Sequence, residues 1–307
     1  MWKYALRRIL LLIPTLLAVY TLVFILFHLT PGGPWDKERP VPESVQEYLN
    51  AKYGLDKPLW QQYIDYLVGV ITRFDLGPSY KYTHLTVRDI IGQFFPNSIQ
   101  VGLIAMAVAV TLGITLGVLS AIKQNTVLDY VLMFFAIFGA TVPTFVIGPL
   151  LVWLVILTLG VGLPTGGWGT PRHLVLPVLT LALGPMAVLA RYTRSSMLEV
   201  IRADYIRTAR AKGLPEGVII VRHALKNALI PVITVAGVIL AVVVTGSFYV
   251  EFIFSIPGIG QYFVTSVSNR DYPVLMGVSL LFATVIAVMN LIVDLAYGFL
   301  DPRIRYQ

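Results

Sequence analysis

The densest group of residues able to do chemistry in this chain is basic. Between Arg191 and Pro231 stand Arg191, Arg194, Arg202, Arg207, Arg210, Lys212, Arg222 and Lys226, against Glu199, Asp204 and Glu216. Cations at that density can hold anionic lipid, meet carboxylates on a protein partner, or fix the orientation of a membrane chain. Bond-making chemistry is missing from the pattern. No Gly-x-x-x-x-Gly-Lys-Ser/Thr stretch is present to cradle a triphosphate, and neither His-Glu-x-x-His nor Gly-x-Ser-x-Gly occurs. His28, His84, His173 and His223 are scattered, so no pair has metal-ligand spacing. Without cysteine, the chain can form neither a disulfide nor a thiolate metal site. No catalytic, cofactor-binding or metal-ligating residues are therefore assigned. Asp294 has two readings. In mid-membrane it would be a proton relay; at the inner interface it would be a cap or ion pair, which the neighbouring Tyr297, Asp301 and Arg303 favour.

The elements that carry these residues are apolar. Of 307 residues, 57% are hydrophobic and 13% charged, with mean hydropathy +0.77; soluble chains average about 25% charged. Uncharged runs of about 20 residues cross a hydrocarbon core of roughly 30 Å, so the chain is an integral membrane protein. The net charge of +7 does not indicate a nucleic-acid surface. Eight of the 23 basic residues sit in one loop and others flank the apolar runs, which is the bias that retains cations in the cytoplasm. No cleavable signal is expected after Lys3, Arg7 and Arg8, because the following apolar run is long and lacks a small-residue cleavage site.

Six spans are read in order: Ile9–Leu29, Asn97–Ala121, Tyr130–Leu159, Leu174–Ala190, Ala228–Val250 and Val274–Asp294. The third is ambiguous, since Pro143 and Gly148-Pro149 allow either one kinked span or a hairpin of two short ones. Parity selects one span, because only then does the basic loop share a side with Lys3, Arg7 and Arg8. Pro177 and Gly184-Pro185 bend the fourth span, which must be internal for neighbours to satisfy its freed carbonyls. Gly113 and Gly117 form a small-xxx-small pair for close helix packing. The chain divides into a tail and first span (1–30), an extracytoplasmic region (31–95) and a core of five spans (96–307). In the second region, Pro42–Tyr53 and Lys57–Leu67 read as helices, capping the bundle rather than holding a ligand. The fold class is all-α membrane protein.

Within the basic loop, 191–228, Ser195–Lys212 and Val218–Leu229 read as two short helices joined by Gly213-Leu214-Pro215. The external loop, 251–273, is rich in glycine and proline and reads as a shaped loop rather than a helix.

Arg207-Thr208-Ala209-Arg210-Ala211-Lys212-Gly213, followed by RHALKNALIP, resembles the cytoplasmic coupling loop of ABC importer permeases in its dipeptide/oligopeptide (B-type) variant. Arg207 and Thr208 replace the Glu and first Ala of the wider family, and Lys226 stands where many relatives have Pro. YGLDKPLWQQY, FDLGPS, VEFIFSIPGIGQ and NRDYP are similar to the same branch, whereas PGGP departs from its more frequent Pro-Gly-Asp-Pro. The resemblance implies a permease subunit, without enzymatic activity, in a prokaryotic plasma (inner) membrane with both termini cytoplasmic. It implies a second, related permease chain, two ATPase subunits or one fused ATPase, an extracytoplasmic solute-binding protein and a peptide substrate. ATP and magnesium would be bound by the ATPases and no cofactor by this chain. Asp204, Arg207, Thr208, Ala209, Arg210, Lys212 and Gly213 would contact the ATPase; Glu251, Pro257, Gly258, Gly260, Arg270 and Asp271 would face the binding protein. Ala209 and Gly213, four apart and small, would let the ATPase approach closely. An ion-driven secondary transporter or channel is the alternative. It would normally show inverted repeats and buried mid-span charges, neither of which is visible, and it leaves the loop unexplained.

Overall fold

The structure, a computed structural model, describes residues 2–35 and 42–300. The first helix, α1 (Trp2–Leu29), contains Pro14 and carries the first span. Two outer helices follow, α2 (Glu43–Tyr53) and α3 (Leu59–Arg73), close to the two expected. Among their residues only Gly69 is buried, so they have no core of their own. Instead they lean on α1, with Tyr20 Oη donating to the Tyr63 carbonyl at 2.8 Å.

The second span belongs to α4 (Val87–Ile122), which starts ten residues earlier than the apolar run. A capping box explains that start: Thr86 accepts from the Asp89 amide, and the Asp89 side chain accepts from the Thr86 amide. At about 1.5 Å per residue, 36 residues make a rod of about 54 Å, far longer than the bilayer core.

The segment read as the third span is not a straight helix. α5 (Val127–Thr141) and α6 (Thr144–Val152), the latter extended by a π-helical turn (Trp153–Thr158), are bent by 115° at the break between them. The residue before a proline is pushed out of the helical region, and Val142 before Pro143 is extended at ψ 126°. Counting that pair as one span gives six; five other helices are long and apolar enough to cross. Among the described residues there is no β-strand, only an isolated bridge between Pro78 and Thr86.

The centre of the bundle is α7 (Pro171–Ile201), packed against α4, α5, α6 and α10. Its prolines Pro177 and Pro185 are inside the helix, and Pro177 is buried, as an internal span requires. A Cβ on Gly113 would lie 2.8 Å from the Met186 carbonyl oxygen, and one on Gly117 would lie 2.5 Å from that of Ala190. The glycine pair is thus the seam along which α4 and α7 touch.

Two boundaries differ from the reading of the basic loop. Ser195–Lys212 is not one helix: α7 runs on through Ile201, and α8 (Asp204–Ala211) begins after a break at Arg202-Ala203. Val218–Leu229 is not a separate helix either. The short α9 (Glu216–Val218), a π-helical turn (Ile219–Leu225) and α10 (Lys226–Val244) form one 29-residue span helix, Glu216–Val244. Arg, Lys and Glu are good helix formers, so the helices continue past their apolar runs. Beyond Gly246, at φ +94°, come α11 (Phe248–Ile253), α12 (Ile259–Asn269) and the last span helix α13 (Tyr272–Leu300). The segment expected to be a shaped loop therefore contains an 11-residue helix. Gly258 precedes it in an extended conformation, and Arg270 ends it in the left-handed region at φ 56°.

Candidate functional site

The base of the bundle is organised around α8. Its apolar residues Ile206 and Ala209 turn inward onto Ala121 of α4, Met197 of α7 and Ile219, Ala224 and Ala228 of the next span helix. Ala209 is therefore buried against its own chain, not offered outward beside Gly213. A four-residue spacing identifies a shared face but not whether that face is already taken. Outward point Asp204, Arg207, Thr208, Arg210 and Lys212, all exposed. Asp204 pairs with Arg207 one turn on, and Thr208 Oγ1 donates to the Asp204 carbonyl at 3.1 Å. Arg210 forks onto Glu216 across the elbow, with Nη2 2.6 Å from Oε1 and Nε 3.2 Å from Oε2. The hydrogen bonds to Glu216 raise the Arg210 guanidinium above its ordinary range. Gly213 makes the elbow possible at φ +75°, a conformation that side-chain-bearing residues resist; no atom lies within 4 Å of where its Cβ would be.

Above α8, an ion pair legible only in three dimensions fastens the bundle. Asp129, at the start of α5 and 1% exposed, accepts from Arg194 of α7 through Nε at 2.8 Å and Nη2 at 2.8 Å. Ser120 of α4 donates its hydroxyl to the same carboxylate, and the Asn125 amide donates at 3.0 Å. Both carboxylate oxygens are thus doubly bonded to donors, which leaves no acceptor unpaired in the interior. Arg194 precedes α8 by ten residues, so the joint ties α4, α5 and α7 just above it. Sequence reasoning missed this pair. The available signal was an acid at the edge of an apolar run, but a partner 65 residues away has no local signature.

At the other end, α11 and α12 wrap a second buried carboxylate. Glu251 accepts from Ser98 Oγ at 2.6 Å and from the Gln261 amide at 3.2 Å. Gln261 Nε2 closes the turn onto the Glu251 and Ile256 carbonyls at 3.1 and 2.7 Å, and Asn97 Nδ2 donates to the Pro257 carbonyl at 2.7 Å. The glycines are required by the carboxylate: a Cβ on Gly258 would lie 2.3 Å from its carbon, one on Gly260 2.9 Å from Oε2. Asp271 is likewise turned inward, accepting from Ser79 Oγ at 2.5 Å and from the Tyr80 amide at 3.1 Å. Arg270 Nη1 donates to the Gly33 carbonyl at 3.0 Å. Glu251, Pro257, Gly258 and Gly260 are thus together in one knot, while Arg270 and Asp271 tether the outer segments to the head of α13.

Asp294 pairs with Arg8 at 3.0 Å, bringing the charged end of the first span beside that of the last. This is the ion-pair reading; Asp301 and Arg303, like the side chain of Tyr297, lie outside the described residues. Among the described residues no group of three or more His, Asp or Glu is placed to hold a metal.

Comparison with known proteins places this architecture. The family described as binding-protein-dependent transport system inner membrane component matches residues 113–306, and its N-terminal companion matches residues 1–115. The dipeptide transport system permease protein DppB of Bacillus subtilis is 48% identical over 99% of this chain and 98% of its own. The oligopeptide transport system permease protein OppB of Haemophilus influenzae is 43% identical over the whole of both chains. In fold, 69% of this chain superposes on 96% of a chain of the inward-facing MetNI methionine ABC transporter, with TM-score 0.57 and 15% identity. The chain belongs to the binding-protein-dependent transport system inner membrane component family, and it is a transport component, the permease subunit, rather than an enzyme.

Proposed function

We propose that this permease imports short peptides with ATPase partners below and a solute-binding protein above. The observation that carries the coupling half is the setting of α8: a short helix seated on the ends of α4, α7 and the fifth span, with a charged outer face. A push on that face reaches three span helices at once. Asp204, Arg207, Thr208, Arg210 and Lys212 would meet the rim of an ATPase groove, each exposed ion pair contributing only modestly. Ala209 would keep α8 seated and Gly213 would set its exit angle. The face lies in the cytoplasm with both termini, in keeping with the excess of cations there.

The peptide substrate rests on the full-length likeness to dipeptide and oligopeptide permeases. A second, related permease chain would complete the path. Segment 251–273 would receive the binding protein: Phe252 and Val267 are exposed on it, while Glu251, Gly258, Gly260 and Asp271 hold its shape. ATP and magnesium would be held by the ATPases alone. Purification of the tagged chain from native membrane tests the reading. ATPase and second permease chains should accompany it; isolation without any ATPase chain, together with uptake driven by an ion gradient, would overturn it.

A further inference from the structure

The outer helix α3 divides its circumference three ways. Tyr63, Tyr66 and Leu67 pack on Tyr20 and Phe24 of α1, with ring centroids of Tyr20 and Tyr63 4.8 Å apart. Gln62, Asp65, Gly69 and Arg73 line a cleft of about 220 Å³ shared with Lys57 and Asp75. The third face carries Trp60, Ile64, Val68 and Ile71, spaced by four, four and three residues. All four are exposed: Trp60 is 66% and Ile71 67% accessible, and Phe74 just beyond is 77%. A helix normally buries such a stripe. Here no described residue covers it.

The depth of α3 follows from α1. Arg8, paired with Asp294, marks one edge of the hydrocarbon core. The uncharged run from residue 9 to 29 then spans about 30 Å, which puts Leu29 at the opposite edge. Phe24 and Tyr20 lie five and nine residues short of Leu29, hence about 7 and 14 Å inside that edge. Tyr63 touches both of these rings, and its hydroxyl is 2.8 Å from that of Thr21. α3 is therefore fastened beside α1 below the rim, not above it.

We propose that α3 is a membrane-embedded helix whose Trp60–Ile64–Val68–Ile71 face lies among the acyl chains of the leaflet farther from Arg8. On α1 itself, Leu22, Ile25, Leu26 and Leu29 are likewise exposed. The charges of α3 escape the lipid by facing the cleft, where Lys57 Nζ meets Asp65 at 2.7 Å. Thr72 returns its hydroxyl to the Val68 carbonyl at 2.6 Å, so it too can tolerate an apolar setting. This assignment turns part of an apparently soluble outer region into an anchor lying in the membrane.

The native absence of cysteine makes the test direct. Single variants Ile64→Cys and Ile71→Cys are spin-labelled in the full chain with its co-purified partners, in phosphatidylcholine nanodiscs. Collision rates with molecular oxygen and with a soluble nickel chelate are measured, using Leu26→Cys as lipid reference and Ser44→Cys as water reference. Labels at 64 and 71 should match the lipid reference, with an oxygen-to-chelate ratio several times that of the water reference. A ratio like that of Ser44→Cys would show a face in water and overturn the proposal. So would labels immobilised and shielded from both reagents, which would mean that a protein partner covers the face.

Discussion

Breaking the Asp129–Arg194 joint should be costly in a way that distinguishes a charge pair from ordinary packing. Asp129 is almost wholly enclosed and spends both oxygens on four donors. In Arg194→Met the carboxylate keeps Ser120 and Asn125 but loses its counter-charge, and an uncompensated buried charge costs about 3–5 kcal/mol. Asp129→Leu strands a guanidinium that is 26% exposed and can turn toward water, so its cost should be smaller, about 2 kcal/mol. The double variant Asp129→Leu/Arg194→Met removes both charges, and such exchanges are often neutral or stabilising. Thermal unfolding of the assembled complex in nanodiscs should therefore rank Arg194→Met below Asp129→Leu, with the double variant near the parent. If the double variant were as unstable as the sum of the singles, the joint would not act as a charge pair and the reasoning would fail.

Other outcomes follow from the same geometry. Gly117→Leu should lose assembly, because even a Cβ there would be 2.5 Å from both the Ala190 oxygen and Thr193 Cβ; a folded, transporting variant would contradict the α4–α7 seam. Gly258→Ala should abolish uptake by displacing the Glu251 carboxylate, and adding Glu251→Ala should restore part of it; no rescue would mean that the glycine is needed for another reason. Gly213→Val meets no neighbour but must hold a left-handed backbone, costing about 1–2 kcal/mol, so it should weaken ATPase association while leaving membrane insertion intact. Cysteines at Ser44, Thr165 and Ser268, all exposed, should react with an impermeant thiol reagent outside intact cells, while one at Ser195 should not; the reverse pattern would invert the topology.

Much of the scaffold was legible along the chain, for identifiable reasons. Gly113 and Gly117 spaced by one turn, Pro143 in mid-run and Gly213 before Leu214-Pro215 each impose local geometry, and each did so where expected. The helix ends were misread because composition marks where lipid stops, not where hydrogen bonding stops. α7 carries Arg191, Arg194 and Glu199 past the apolar run to Ile201, and the fifth span helix begins at Glu216. Pro143 announces a bend but not its 115° angle, and the packing of α6 against α7 and α11 is a contact that no local pattern encodes. The same limit applies to the sites. Asp129, Glu251 and Asp271 gain their meaning from Arg194, Ser98 and Ser79, and the nearest of these partners is 65 residues away.

The claim that this permease turns ATPase motion into peptide import through α8 is tested most directly by measuring both quantities in one preparation. The complex would be reconstituted in liposomes with binding protein, labelled dipeptide and ATP, with the parent compared against a charge-reversed outer face, Arg207→Glu/Arg210→Glu. The parent should take up peptide only with ATP, and the variant should insert normally yet lose ATPase retention and uptake together. Uptake in the parent without ATP, or full uptake by the variant with ATPase bound, would contradict the account.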